Sequence, residues 1–236
     1  MNHSSIALCA LAILNWQAFA PAAQVAGEDW PQLAAYREQN RRLGSPAPGE
    51  ERVVFFGDSI TYAWSLQGRE FFPGKPYVNR GLKGQTTPQL LVRFRQDVVQ
   101  LRPKAVVILA GTNDIAGNTG PSTLPMIEDN LMSMAEIAAM NGIRVVLCSV
   151  LPAADYPWRP GLHPADRIVE LNAWIRDYAQ AHALVYLDYY SAMAGKAGEL
   201  KPELTVDGVH PNDAGYAVMT PLAARAIAAA LAGPTR

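Results

Sequence analysis

The chain has 236 residues, of which 50% are hydrophobic and 17% are charged, and its formal net charge is −1. This length and composition fit one globular domain with a substantial core, and they exclude an intrinsically disordered chain. Lys and Arg are scattered without a basic patch, so nothing in the sequence indicates a nucleic-acid partner.

The N-terminus resembles a cleavable export signal. A short apolar run at residues 6–14 (IALCALAIL) is followed by small residues at 18–20 (AFA) that suit a signal peptidase. The run is too short to span a bilayer, which takes roughly 20 residues. No Lys or Arg precedes it, so a disordered or packed apolar N-terminus is the alternative. We predict a signal peptide over residues 1–23, a periplasmic or secreted protein, and no stable membrane insertion after its removal.

Residues 24–50 are predicted to form a helix, at about residues 30–43, and a Pro/Gly-rich linker at 44–50 (GSPAPGE). The main domain is then residues 51–236. Short apolar runs alternate there with longer amphipathic stretches. The strand candidates are residues 53–56, 77–79, 105–110, 144–150 and 184–187. The helix candidates are residues 60–66, 88–101, 126–140, 165–181 and 211–231.

Most of these strand candidates are continuous apolar runs, which is typical of strands buried on both faces of a parallel sheet. The order of the elements predicts an α/β fold, a three-layer α/β/α sandwich with right-handed crossovers. In such folds ligands bind beyond the carboxyl ends of the strands. Four segments at or near these ends carry polar residues suited to catalysis.

The first segment contains a candidate nucleophile. Ser59 follows a strand within residues 57–60 (GDSI) and opens a predicted helix, so its hydroxyl lies near the positive end of the helix dipole. A serine that only caps the helix gives the same local pattern. The local sequence does not decide between these two roles.

His210 is the candidate base for this hydroxyl. It lies in residues 207–211 (DGVHP), three residues after Asp207, and a tight turn of this length lets the carboxylate reach the imidazole. Among the other three histidines, His163 in a loop after the fourth strand is the alternative base.

Gly84 and Asn113 are candidate donors to the oxyanion of a tetrahedral intermediate. Gly84 follows the second strand within residues 79–86 (NRGLKGQT), and Asn113 follows the third within residues 111–114 (GTND). A glycine leaves its backbone N–H open to close approach, and an Asn amide offers another N–H; the N–H of Ser59 is a third. The four segments together supply the nucleophile, base, orienting carboxylate and donors that acyl transfer needs.

These segments resemble the motifs of the SGNH hydrolases, also called the GDSL esterase/lipase family, from about residue 52 to about residue 231. The residues that match the family's Ser, Gly, Asn, His and Asp are Ser59, Gly84, Asn113, His210 and Asp207. Ile60 replaces the Leu of the family name, one apolar residue for another. The resemblance implies a small bacterial secreted member with a flavodoxin-like sheet of five parallel strands in the order 2-1-3-4-5. It implies neither a metal nor a cofactor.

The sequence says less about the ester. It has no large insertion that would form a lid, and a small open site favours short acyl groups, with acetyl esters of carbohydrates as the preferred substrates. The candidate substrate-binding residues are Asp58, Trp64, Trp158 and Arg159, the last two in the loop at residues 153–166; aromatic side chains that only pack the protein would look the same. The alternatives are a thioesterase or lysophospholipase with the same site, and a non-catalytic carbohydrate-binding protein. The oligomeric state is not indicated.

Overall fold

The computed structural model describes residues 29–66 and 70–233, so the predicted signal peptide lies outside the described residues. Five parallel strands form one sheet with helices on both faces, which confirms the predicted three-layer sandwich. The strands are β1 Val53–Gly57, β2 Tyr77–Gly81, β3 Ala105–Leu109, β4 Arg144–Cys148 and β5 Val185–Leu187. Their order across the sheet is β2-β1-β3-β4-β5, as the family resemblance implied.

The helices are α1 Arg37–Leu43, α2 Ser59–Ala63, α3 Thr87–Asp97, α4 Thr112–Ile115, α5 Leu124–Met140, α6 Ala165–Ala181, α7 Tyr190–Met193 and α8 Asp213–Ala232, with single 3₁₀ turns at Val99–Leu101 and Pro202–Leu204. The predicted helix at residues 30–43 starts late because Gln32 has a positive φ of 59°. The last helix also starts later than predicted. Asn212 caps it by accepting the N–H of Gly215, so Pro211 lies outside the helix.

Alternate side chains of the strands face opposite layers. In β1, Val54 and Phe56 pack in the cluster that includes α3, α5 and α6, while Val53 and Phe55 pack in the cluster that includes α2, α7 and α8. Helix α8 is long and apolar enough to span a membrane, with a mean hydropathy of 1.3. Its buried residues recur at a helical period and pack against β3, β4 and β5, which is the arrangement of a core helix.

Glutamine side chains hold the N-terminal segment against α3. Gln85 donates to the carbonyl of Pro31 at 2.8 Å, Gln89 to Trp30 at 2.7 Å and Gln96 to Leu33 at 2.7 Å. Gln85 also accepts the Nε hydrogen of the fully buried Arg93 at 2.7 Å. The segment before β1 is therefore fixed to the helix that follows β2.

Candidate active site

The hydroxyl of Ser59 stands at the carboxyl end of β1, where α2 begins. Asp58 caps this helix, because its Oδ1 accepts a hydrogen bond from the backbone N–H of Ile60 at 2.9 Å. The capping role that the sequence allowed for Ser59 therefore belongs to Asp58. Ser59 Oγ instead lies 3.0 Å from Nε2 of His210.

Two glycines allow α2 to start directly against the strand ends. A Cβ on Gly57 would lie 2.4 Å from the carbonyl oxygen of Leu109, and a Cβ on Gly81 would lie 2.2 Å from the backbone nitrogen of Tyr62. Neither contact is sterically possible. The close approach of the neighbouring backbone therefore requires glycine at both positions.

A tight turn before α8 places His210 next to Ser59. Oδ2 of Asp207 lies 2.7 Å from Nδ1 of His210, and Oδ1 accepts the backbone N–H of the same histidine at 2.8 Å. Gly208 supplies the left-handed conformation of the turn, with φ at 88°. Thr205 closes the turn: its hydroxyl accepts the N–H of Gly208 and donates to the carbonyl of His210. The sequence reasoning missed Thr205, although a threonine shortly before an Asp-Gly pair is a turn signal.

The pKa of Asp207 lies below its usual value. Partial burial acts to raise this pKa, but hydrogen bonds from the backbone and ring of His210 and from the N–H of Val209 outweigh that effect. An ionised carboxylate needs a donor opposite it, which places the ring hydrogen of His210 on Nδ1. Nε2 then turns its lone pair toward Ser59, so it can accept the hydroxyl proton.

The candidate oxyanion donors come from three neighbouring strands, because β1 lies between β2 and β3 in the sheet. In the described part of the chain the N–H groups of Ser59 and Gly84 donate to no other group, and Gly84 is exposed with φ at 71°. Asn113 is buried. Its Nδ2 donates to the carbonyl of Gln85 at 3.0 Å and to Oδ2 of Asp58 at 3.2 Å. The structure thus brings together the polar ends that the sequence singled out.

Asn118 connects these donors and was missed by the sequence reasoning. Its Nδ2 donates to Oδ1 of Asn113 at 2.8 Å and to the carbonyl of Gly84 at 3.3 Å, and its Oδ1 accepts the indole N–H of Trp158 at 3.0 Å. The chain returns to the site through a turn at Gly117, where φ is 72°. No periodic pattern in the sequence marks such a return.

The GDSL-like lipase/acylhydrolase family model matches residues 55–218, which is more than half of the chain. The chain belongs to this family. The match includes the strand ends that carry Ser59, Gly84 and Asn113, and the turn that carries His210, and it confirms the predicted resemblance. Membership supports a hydrolase that acts on esters.

Solved structures and one curated sequence agree with this assignment. A candidate acylhydrolase from Bacteroides fragilis is 45% identical, with a TM-score of 0.84, over 87% of this chain and 100% of that one. A GDSL-like lipase from Bacteroides thetaiotaomicron is 44% identical, with a TM-score of 0.83, over 86% of this chain and 100% of that one. The uncharacterized lipoprotein YqeF of Bacillus subtilis is 30% identical over 129 residues, 48% of this chain. The match spans 53% of YqeF, about half its length.

Trp158 lies beside the site, as its predicted role requires. It is 39% exposed, and its ring centroid is 6.1 Å from that of His210. The ring stacks on Tyr156 at 5.1 Å, and Tyr156 is fully buried with its hydroxyl 2.8 Å from that of Thr112. Trp158 therefore packs on a buried ring and remains partly exposed next to His210.

The predictions that Trp64 and Asp58 bind substrate are wrong. Trp64 is 3% exposed and lies among aromatic rings, with the centroids of Phe55, Phe72 and Tyr216 at 5.3–5.6 Å. Asp58 is 1% exposed and uses both oxygens in hydrogen bonds to the protein. Trp64 belongs to the core, and Asp58 holds the start of α2 and the amide of Asn113.

The loop between β4 and α6 carries the two remaining candidates at the surface. Arg159 is exposed, and its Nη2 donates to the carbonyl of Gly117 at 3.4 Å. His163, the alternative base, is exposed with φ at 49°. The hydroxyl of Ser59 is paired with His210 and not with this histidine.

Two buried carboxyl groups lie behind the site. Burial raises the pKa of Asp58 to about 7, against the opposing effects of the N–H of Ile60 and of His210. Burial also raises the pKa of Asp114 to about 6, although hydrogen bonds from Thr87 oppose the shift. Across residues 29–66 and 70–233, no three or more His, Cys, Asp or Glu side chains are grouped to hold a metal ion.

The buried carboxyl of Asp58 leads us to expect that the free energy of unfolding depends on pH. An aspartate in the unfolded chain has a pKa of about 4, so between that pH and about 7 the folded protein keeps a proton that the unfolded chain releases. We expect the free energy of unfolding to fall by on the order of 2 kcal/mol as the pH rises from about 5 to about 8. Asp58→Asn, which retains a cap oxygen for Ile60, should flatten this slope, with Asp114 leaving a residual slope of the same sign. Urea unfolding at a series of pH values and constant ionic strength measures the free energy of unfolding.

Asp155→Asn is the control for this measurement. Hydrogen bonds from backbone N–H groups, that of Gly161 first, hold the pKa of Asp155 below its usual value. Its titration therefore lies below the pH window, and the slope should not change. A slope that is equally steep in Asp58→Asn and in the unmodified protein would contradict a proton held by Asp58.

Proposed function

We propose that this protein hydrolyses esters of short acyl groups through an acyl-enzyme on Ser59. The observation that carries the proposal is the unbroken series of contacts from Asp207 through both ring nitrogens of His210 to Ser59 Oγ, at 2.7 and 3.0 Å. A serine hydroxyl becomes a useful nucleophile when a base within this distance takes its proton. Membership of the GDSL-like lipase/acylhydrolase family, matched over residues 55–218, supports the proposal.

In the first half of the reaction, Ser59 Oγ bonds to the ester carbonyl carbon while its proton passes to Nε2 of His210. The carbonyl oxygen takes the negative charge, and the N–H groups of Ser59, Gly84 and Asn113 stabilise it. The longer of the two contacts that Asn113 Nδ2 makes, the one to Asp58, is the one that an oxyanion would displace. Collapse of the intermediate breaks the bond to the alcohol oxygen, which receives the proton from Nε2.

In the second half, a water molecule attacks the acyl carbon and gives a proton to His210. The oxyanion forms again at the same donors, and its collapse releases the acid and returns the proton to Ser59 Oγ. Asp207 stabilises the imidazolium ring at both stages and keeps Nδ1 protonated. No alcohol takes part in this half.

The position of Trp158 favours an alcohol that carries a ring. Because His210 must protonate the leaving oxygen, the alcohol has to lie near this histidine, and the partly exposed ring of Trp158 is its neighbour. Sugar and aryl rings pack well on an indole face. We therefore favour acylated carbohydrates as substrates.

The packing beneath α2 favours a short acyl group. The centroids of Trp64, Phe55 and Phe72 lie 5.0–5.6 Å apart, which is direct ring contact. No acyl chain fits between rings at these distances. The acyl group would therefore have to stay close to the surface. An acetyl group is small enough to do so.

A panel of esters tests this function. We expect kcat/KM to be highest for acetyl esters and to fall at least about tenfold by the octanoyl ester, since the packed rings leave no space for a longer acyl chain. Trp158→Ala should raise KM for an acetylated sugar by about three- to tenfold and leave KM for ethyl acetate almost unchanged. Trp30→Ala, at another exposed tryptophan, is the matched control.

Other results would favour the alternatives. An optimum at long acyl chains or on acyl-CoA would indicate a lysophospholipase or thioesterase. Sugar binding without hydrolysis of any ester would indicate a carbohydrate-binding protein.

We also propose that the protein is exported. The apolar run at residues 6–14 supports this, as does the similarity to a relative described as a lipoprotein. N-terminal sequencing of the protein recovered outside the cytoplasm should begin near residue 21 or 24. Recovery of the full chain from the cytoplasm would contradict export.

A further inference from the structure

Three side chains form a series of hydrogen bonds from the rim of the site to its oxyanion donors. The indole Nε1–H of Trp158 donates to Oδ1 of Asn118, and Nδ2 of Asn118 donates to Oδ1 of Asn113. The same Nδ2 contacts the carbonyl of Gly84. Asn118 is thus in contact with both residues outside α2 that would stabilise the oxyanion.

The chemistry of the first group determines the direction of the whole series. An indole N–H can only donate, so the amide of Asn118 must turn its oxygen toward Trp158 and its nitrogen toward Asn113. That nitrogen can only donate in turn, so Asn113 must turn its oxygen toward Asn118. The N–H groups of Asn113 then point to the opposite side, where the carbonyl of Gln85 and Asp58 accept them.

Backbone hydrogen bonds hold Asn118 in place, so the orientation of its amide can determine that of Asn113. The backbone N–H of Asn118 donates to the carbonyl of Asn113 at 3.0 Å, and Gly120 N–H closes a turn on Gly117 at 3.1 Å. The hydroxyl of Thr119 lies 2.9 Å from that of Thr86, next to α3. The turn is therefore attached to the loop that carries Gly84.

We propose that Asn118 is a positioning residue of the oxyanion hole, through which the indole N–H of Trp158 selects the amide orientation of Asn113. A flipped Asn113 amide would present its oxygen to the developing negative charge and would oppose the reaction. This inference rests on the proposed function, because it concerns the same donors. It assigns Trp158 a second role, separate from contact with the alcohol.

Asn118→Leu is the principal test, because leucine has nearly the shape of asparagine and forms none of its hydrogen bonds. We expect kcat for p-nitrophenyl acetate to fall about tenfold, with KM within about threefold of its original value. Asn113→Ala should lower kcat by about 10²- to 10³-fold, and this loss is the reference against which the effect of Asn118→Leu is compared. Asn141→Leu removes an exposed amide that bonds the carbonyl of Ile137 at the end of α5, and it should have no effect.

Asn118→Asp supplies a readout that a purely structural role would not change. The carboxylate still accepts the N–H of Trp158, but it cannot donate to Asn113 or Gly84. Protonation restores one donor, so the activity of this variant relative to the unmodified protein should rise as the pH falls toward the pKa of the new carboxyl. A pH-rate profile of both proteins measures the ratio.

Trp158→Phe tests the origin of the series. The variant keeps an aromatic ring beside His210 and loses only the indole N–H donor. The alcohol has already left when the acetyl-enzyme is hydrolysed. The rate of this step therefore depends on the oxyanion donors and not on any contact between Trp158 and the alcohol. We expect this rate to fall about two- to fivefold in Trp158→Phe and to fall no further when the change is added to Asn118→Leu, as coupled residues behave.

Several outcomes would overturn the proposal. A kcat within about twofold in Asn118→Leu would show that Asn113 keeps its orientation unaided. A change in KM alone would make Asn118 a substrate contact, and a loss seen only in Asn118→Asp would be an effect of charge. Ser59→Ala in the same assay separates the two proposals. Turnover that survives in Ser59→Ala removes the function and this inference together, whereas turnover lost there but unchanged in Asn118→Leu removes the inference alone.

Discussion

Replacing Ser59 by alanine should lower kcat for an acetyl ester by on the order of 10⁴- to 10⁶-fold. The substitution removes the oxygen that would form the acyl-enzyme, while the oxyanion N–H groups remain. Because Asp58 and not Ser59 caps α2, folding should be unaffected. Steady-state kinetics together with thermal unfolding check both expectations, and acetyl transfer to the unmodified protein should add mass at Ser59 and not in the variant.

Ser65→Ala is the matched control, since Ser65 is exposed in the same segment and its hydroxyl accepts a hydrogen bond from Asn79. It should keep activity within about twofold, as surface substitutions usually do. Turnover in Ser59→Ala that stays within about tenfold of the original rate would assign the nucleophile to another group.

Replacing His210 by alanine should lower kcat by about as much as Ser59→Ala. The Ser59 hydroxyl needs the base to take its proton, and the base contributes little without the nucleophile. The double variant should lose little more than either single one. The measurement is kcat for all three proteins with the same acetyl ester, with stopped-flow detection of any residual burst. Losses that multiply in the double variant would mean that the two residues act independently.

His163→Asn provides the comparison that decides between the two candidate bases. Asparagine tolerates the positive φ at this position better than alanine, so the change tests the imidazole and not the backbone. The rate should stay near that of the unmodified protein. A collapse comparable to that of His210→Ala would identify His163 as the base.

The sheet and the catalytic candidates could be predicted because each depends on local information. Continuous apolar runs mark buried parallel strands, and the strand-end rule then collects Ser59, Gly84 and Asn113 at one edge. Asp207 and His210 are three residues apart, so one turn determines their contact.

The wrong prediction for Trp64 and the missed residue Asn118 depend on where side chains point and on how loops meet. Trp64 follows Ser59 by five residues, about 500° around a helix, so it points well away from the nucleophile and into the core. Helical geometry could have excluded it. Asn118 could not have been found in this way, because its contacts with Gly84 and Trp158 join three loops whose relative positions depend on the whole sheet.

The glutamines that hold the segment before β1 have a consequence for any shortened form of the protein. Composition places a boundary near residue 50, after a Pro/Gly-rich stretch, and a truncation there would look harmless. It would deprive the buried amide of Gln85 of its acceptor on Pro31, and the carbonyl of this same Gln85 receives the N–H of Asn113. We therefore expect a fragment that keeps the candidate active site intact to include Pro31, because the segment that resembles a spacer supports the loop beneath Asn113.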